Sequence, residues 1–175
     1  MRLHLGCGKR DFGLAWDHID LLDLPHIDSH DVEALPYKDD SCEIIYASHL
    51  INYFDRVEVK LVLNEWLRVL KPGGILRLAV PDLESMCNLY KNGYSLDKFL
   101  GPLYGKWNHP PIYHKTAYDF ESLFLLLKEV GFKSISRYNW RDTDHSNFDD
   151  HSQAYIPHMD KENGVLISLN VEAEK

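Results

Sequence analysis

The first ten residues limit what this chain can fold into more than any other stretch. Arg2, Leu3, His4 and Leu5 alternate over a length that suits one short strand, and Gly6-Cys7-Gly8 follows where that strand must turn. Glycine accepts positive φ, and without a Cβ it lets a ligand lie directly against the backbone. Gly-x-Gly alone is too common to separate a plain turn from a ligand cradle. Three later features make the separation: Asp20 closing a second strand-like segment over 15–20, Asp31 ahead of Leu35-Pro36-Tyr37, and Leu70-Lys-Pro-Gly-Gly-Ile-Leu76 further on.

The spacing of the next elements defines an unusual sheet. Only residues 9–14 separate the glycine turn from the second strand, whereas a parallel crossover normally needs roughly a dozen residues and a helix. Residues 21–28 leave no room for a full helix either. The early helices are therefore expected to be reduced or missing, with the sheet edge thinly covered. Such an edge would offer a surface for a homodimer or be covered by the C-terminal part of the chain. Residues 43–48 read as a buried central strand. Asp55 and Glu58 form a capping-box pattern that opens a helix carrying Val59, Val62, Leu63, Trp66 and Leu70, stopped by Pro72-Gly73-Gly74. A strand over 75–80 follows, and Asp82 caps a shorter helix that runs toward Asn92-Gly93.

Residues 94–118 lose periodicity and become rich in aromatics, His and Pro, the character of a substrate-facing insert. Asp119 then caps an amphipathic helix with Phe120, Leu123, Phe124, Leu127 and Val130 on one face, stopped by Gly131. Strands follow over 132–138 and 165–173. No helix is predicted between them, so the last strand should run antiparallel to its neighbours. The intervening run 141–151 concentrates Asp and His. It fails as an EF-hand loop, because Asn147 and Gln153 stand where Gly and a bidentate Glu are required, and it has no zinc spacing. It reads as a solvated loop, or as a lid over substrate, with no metal site.

At 175 residues and 45% apolar content the chain is expected to be one domain over 1–175. Its 27 acidic against 19 basic residues, a net charge of −8, leave no excess to neutralise phosphates, which disfavours nucleic acid as the main partner. Cys7, Cys42 and Cys87 are odd in number and unpatterned, which points to reduced thiols and a cytoplasmic protein. Cys7 reads as a small residue filling a tight turn rather than as a reactive thiol. No apolar run reaches the roughly 20 residues of a membrane span, and the early glycines interrupt any signal-peptide pattern.

Together, Gly6-Cys7-Gly8, Asp20, the stretch from Asp31 through Leu-Pro-Tyr37 and the Lys-Pro-Gly-Gly turn resemble the class I S-adenosylmethionine-dependent methyltransferases. The resemblance is closest to their small bacterial branch and runs from Leu3 to about Lys175. It implies a Rossmann-like α/β fold: a mostly parallel seven-stranded sheet in the order 3-2-1-4-5-7-6 with an antiparallel last strand. It also implies S-adenosyl-L-methionine as cofactor. Leu5, Gly6, Cys7 and Gly8 would meet its methionine part, Asp20 its ribose hydroxyls with Leu21 alongside, and Asp31 and the Val32 backbone its adenine. Asp28 is close enough in sequence to replace Asp31.

Ser48-His-Leu-Ile-Asn-Tyr-Phe54 is similar to the family's Ser-His-x-Leu-Glu-His, with Asn52 and Tyr53 where Glu and His are usual. Ser48 and His49 would lie at the switch point against the cofactor, and His49 would border the transferred methyl. In-line transfer from a sulfonium needs positioning and exclusion of water, and a hydroxyl acceptor needs a base as well. His49, His109 and His114 are the candidates for that base. The aromatics of 94–118 line a pocket or form a satellite core. The resemblance points to a small or saccharide-like acceptor. The alternative is a non-catalytic regulatory or scaffold domain that binds S-adenosylmethionine or S-adenosylhomocysteine. A nicotinamide dehydrogenase is set aside, because Asp11 stands where the third Gly of its fingerprint should be.

Overall fold

The computed structural model describes residues 1–107 and 112–175. In chain order its elements are β1 Arg2–Leu5, β2 Asp17–Ile19, β3 Cys42–Ser48, α1 Glu58–Val69, β4 Leu70–Pro81, α2 Leu83–Lys91 and α3 Asp97–Tyr104. They continue with β5 Gly105–Lys106, β6 Ile112–Tyr113, α4 Phe120–Val130, β7 Lys133–Arg137, β8 Tyr155–Ile156, β9 Val165–Leu166 and β10 Ser168–Glu174. The main sheet runs β2-β1-β3-β4-β10-β7. β1 pairs in parallel with β2 and β3, and β3 pairs in parallel with β4. β10 is antiparallel to both β4 and β7, as the absence of a crossover helix requires. The extra edge strand that the resemblance implies is reduced to one parallel bridge, Ile19 to Ser29, so six strands form the sheet and not seven.

One sheet face is built conventionally. Leu3 and Leu5 of β1, Ile45 and Ala47 of β3, Leu76, Leu78 and Val80 of β4, and Leu169 and Val171 of β10 share a core with Val59, Val62, Leu63 and Trp66 of α1 and Leu123 and Leu127 of α4. Both helices start where the sequence says. Asp55 Oδ1 accepts from the Val57 and Glu58 amides while Glu58 Oε2 accepts from Asp55 N. Asp119 makes the same reciprocal cap with Ser122, and Gly131 ends α4 in the left-handed conformation.

The opposite face is polar. Strand alternation turns His4, Tyr46, Arg77, Asn170 and Glu172 away from that core. No helix joins β1 to β2 or β2 to β3, so irregular chain covers this face. Phe12 and Trp16 pack on Tyr46. Residues 139–156 lie over the rest. His145 stacks on Phe12 at 5.2 Å and meets Tyr46 at 4.1 Å between ring centroids. The Tyr46 hydroxyl donates to the buried Asp150 carboxylate. Arg77 Nε donates to Glu172 at 2.6 Å, and its Nη1 lies 3.2 Å from His145 Nε2. Thr143, His145 and Asp150 of the acidic, His-rich run are buried while Asp142, Asn147, Phe148 and Asp149 stay exposed, so the run packs on the polar face with part of its length and faces solvent with the rest.

Residues 94–118 also hold more structure than their composition suggests. They contain α3 and the β5–β6 pair. Phe99 joins a satellite core with Met86, Leu89, Ile156 and Ile167. Tyr118 enters the main core, whereas Trp107 and Tyr113 are exposed.

Burial depresses the basicity of three imidazoles in the polar layer: His4 well below its ordinary value, His18 less so, and His145 to about 4, with the Arg77 guanidinium adding to the effect at His145. The unfolded chain takes up protons at these rings near their ordinary pKa of about 6.5, and the folded protein does so only further down. Stability is therefore full above about pH 6.5 and falls below it, by about 2 kcal/mol at about pH 5 for His145 alone. Denaturant unfolding between about pH 7 and about pH 5 should show the midpoint falling steadily. A flat midpoint would contradict the buried neutral imidazoles.

Candidate active site

Parallel pairing brings the carboxyl ends of β1, β2 and β3 to one edge. The strand order reverses between β1 and β3, the place where open α/β sheets hold ligands. Gly6-Cys7-Gly8 leaves β1 there, with Gly6 N donating to Ile19 O at 2.8 Å. Gly6 and Gly8 have φ of 64° and 59°. A Cβ on Gly6 would sit 2.9 Å from Leu50 Cδ1, whereas one on Gly8 would meet nothing within 4 Å. A side chain at Gly6 would thus press on Leu50, whereas space is open at the Cβ position of Gly8, whose carbonyl lies 3.1 Å from His26 Nε2.

Asp20 is tied directly to this turn: its Oδ2 accepts from Gly8 N at 2.8 Å and its Oδ1 from Leu22 N at 3.0 Å. Each oxygen keeps a lone pair for a further donor. His30 Nδ1 lies 2.9 Å from Asp20 O, and Asp20 N donates to Ser29 O. Leu21, next to it, is 87% exposed. Asp31 lies just past the Ser29 bridge, and its Oδ1 accepts from the amides of Glu33 and Ala34. Asp28 instead binds the His18 amide on the inner side of that bridge. The segment carrying Asp31 is fastened to α1, where Trp66 Nε1 donates to Val32 O and Glu65 Oε1 accepts from Leu35 N.

A cavity of about 790 Å³ opens beside this edge. Its walls include His49 and Tyr53 after β3, His114 after β6, Arg10 after the glycine turn, and Asp150, His151 and Tyr155 of the cover. Arg10 Nε donates to Asp149 O at 2.7 Å, which ties the exit of the glycine turn to the cover. Tyr53 links cavity and carboxyl edge: its phenol is held above its ordinary pKa by burial and then by the negative charge of Asp20. The rings of Tyr53 and His114 meet edge-on at 4.8 Å. Gly6, Cys7, Gly8, Asp20 and Asp31 do not line this volume themselves.

His49 sits at φ 51°, with its N donating to Ala79 O at 2.8 Å and its Nε2 3.3 Å from Ser168 Oγ. Its ring stacks on that of His151 at 5.0 Å. Burial keeps His49, His114 and His151 below the ordinary histidine pKa, so all three are neutral near pH 7. The Ser48 hydroxyl and both side-chain polar atoms of Asn52 are buried without partners among the described residues. His109 lies outside the described residues. Sequence reasoning missed Arg10, Asp150, His151, Ser168 and Asn170 as site residues. Strand alternation over 165–173 marked Ser168 and Asn170 as facing one side, but their links to His49 and Ser152, like that of Arg10 to Asp149, join distant parts of the chain.

Residues 14–78 match the family model described as a methyltransferase domain. No curated protein matches the chain. Among solved structures, an S-adenosylmethionine-dependent methyltransferase from Archaeoglobus fulgidus is 15% identical with a TM-score of 0.61, over 99% of this chain and 85% of that one. A Mesorhizobium loti S-adenosylmethionine-dependent methyltransferase is 15% identical with a TM-score of 0.58, over 99% and 90%. A Burkholderia thailandensis 1,6-didemethyltoxoflavin-N1-methyltransferase, solved with 1,6-didemethyltoxoflavin and S-adenosylhomocysteine, is 15% identical with a TM-score of 0.61, over 99% and 70%. The fold is that of these S-adenosylmethionine-dependent methyltransferases, and within it residues 14–78 are similar to the methyltransferase domain model. Among the described residues no helix is long and apolar enough to cross a membrane.

Burial and the nearby Asp20 charge push the Cys7 thiol up to about 12, and burial pushes Cys42 up to about 11. Neither is a nucleophile near neutral pH. Cys87 is exposed. Titration of the native protein with a thiol reagent should release one equivalent from Cys87, with Cys7 and Cys42 reacting only after unfolding. Fast native labelling of Cys7 would contradict its role as a buried turn residue.

Proposed function

We propose that the chain transfers a methyl group from S-adenosyl-L-methionine to a small polar or saccharide-like acceptor held in the cavity beside His49. The contact that carries this reading is the Gly8 N to Asp20 Oδ2 hydrogen bond, which joins a glycine with open space at its Cβ position to a carboxylate at the sheet's switch point. The family match and the methyltransferase neighbours support the cofactor.

On this reading Leu5 closes the strand beneath the turn, and Gly6, Cys7 and Gly8 present backbone to the methionine part. Asp20 accepts the ribose hydroxyls through its remaining lone pairs, and the exposed Leu21 covers one face of the adenosyl group. Asp31 keeps Oδ2 free for the adenine amine, with Val32 beside it, and Ser48 and His49 border the methyl. The bound cofactor supplies a sulfonium-activated methyl group. The protein orients the acceptor, excludes water and takes up a proton where the acceptor is a hydroxyl. His49 and His114 are the base candidates at the cavity wall. The neutral imidazoles, together with Tyr53 and Tyr155, suit a polar ring of sugar size.

Calorimetry with S-adenosylmethionine and S-adenosylhomocysteine tests the cofactor. Both should bind, and Asp20→Ala should weaken binding by roughly tenfold to a hundredfold, the loss of about 1.5 to 3 kcal/mol in hydrogen bonds to a charged group. Unchanged affinity in Asp20→Ala would refute the assignment. Binding without transfer to any of a broad acceptor panel would favour the non-catalytic reading.

A further inference from the structure

Three hydrogen bonds beneath His49 fix which of its nitrogens carries the proton. The relay starts at a group with one possible role: the Ser152 backbone carbonyl, which can only accept. Asn170 Nδ2 lies 2.9 Å from it and must be the amide nitrogen, so Asn170 Oδ1 faces the other way. That oxygen lies 3.0 Å from Ser168 Oγ and can only accept, so it takes the single hydroxyl proton of Ser168. Ser168 Oγ is then left as an acceptor toward His49 Nε2 at 3.3 Å. A neutral imidazole with its proton on Nε2 has its lone pair on Nδ1. Ser168 and Asn170 are both buried, at 3% and 4% exposure, so water does not compete for these bonds.

We propose that Ser168 and Asn170 are positioning residues that hold His49 as the Nε2–H tautomer, so that Nδ1 serves as the base for a hydroxyl acceptor; this rests on the methyl-transfer reading above. The ring lines the cavity, and Nδ1 has no hydrogen-bond partner among the described residues. Backbone and stacking hold the ring in place: His49 N is bound to Ala79 O, and His151 lies against the imidazole face. The step balances. The acceptor O–H proton passes to Nδ1 as the oxygen lone pair forms the new O–C bond to the methyl carbon. The C–S bond breaks with its electron pair going to sulfur, which becomes a neutral thioether. The positive charge moves from the sulfonium to the imidazolium, whose Nε2–H continues to donate to Ser168. The relay thus orients the lone pair before reaction and receives no proton itself.

Nitrogen-15 NMR of the histidine-labelled protein reads the tautomer directly, without an acceptor. We expect His49 as Nε2–H, with that proton exchanging with water roughly tenfold more slowly than in Ser168→Ala, the factor one net hydrogen bond gives. Ser168→Thr, which keeps the hydroxyl, should restore the slow exchange. Saturating S-adenosylhomocysteine should shift the Nδ1 resonance and leave Nε2 protonated. His49 found as Nδ1–H, or an identical Nε2–H signal in Ser168→Ala, would overturn the relay. An Nδ1 resonance unmoved by bound S-adenosylhomocysteine would overturn the base role. Failure of S-adenosylhomocysteine to bind at all would sink the methyl-transfer reading and the base role with it, while the tautomer in the free protein would still decide the relay.

Discussion

A sheet whose first three strands are joined by connections too short for helices has one face without its usual cover, and the rest of this structure answers that constraint. An open apolar face would have to be buried by a partner. Here the strands turn polar side chains that way instead: Phe12 and Trp16 cover the rings of His4 and Tyr46, and the polar atoms of Tyr46, Arg77, Asn170 and Glu172 call for a matching set of polar groups. Residues 139–156 provide that set through Asp144, His145, Asp150 and Ser152. The chain covers its own sheet with a segment from its far end.

That solution shapes the site. The segment that covers the polar face also walls the cavity, because Asp150 takes the Tyr46 hydroxyl with one oxygen and caps the His151–Gln153 turn with the other. The same turn lays His151 on His49 and offers the Ser152 carbonyl to Asn170. Arg10 closes the loop by holding Asp149 from the glycine turn. The glycine turn and the cavity are therefore joined through the cover, by buried hydrogen bonds at Asp150 and Ser152 and an exposed one from Arg10. Burial also keeps the cavity imidazoles neutral, the state in which a histidine can take up a proton.

The features legible in the sequence were local ones. Caps and stops depend on residues three or four apart, so Asp55 with Glu58, the cap at Asp119 and the stop at Gly131 could be read directly, and the Gly6–Gly8 turn with Asp20 fell into register with them. The helix over 97–104 was hidden because Gly101 and Pro102 lie inside it, residues that argue against a helix on propensity. The cover was hidden for a different reason. A run of Asp and His reads as solvent-facing until its partners are known, and Tyr46 and Arg77 lie about 70 to 100 residues away. The expected seventh strand failed because one bridge at Ser29 was all that the short connection allowed.

The most direct measurement is a crystal structure of the protein with S-adenosylhomocysteine. We expect density for the adenosyl group across the carboxyl ends of β1 and β2, with both ribose hydroxyls on Asp20, backbone at Gly8 against the homocysteine part, and the sulfur facing the cavity beside His49. Density placed elsewhere on the molecule, or a ribose that makes no contact with Asp20, would contradict the methyl-transfer assignment.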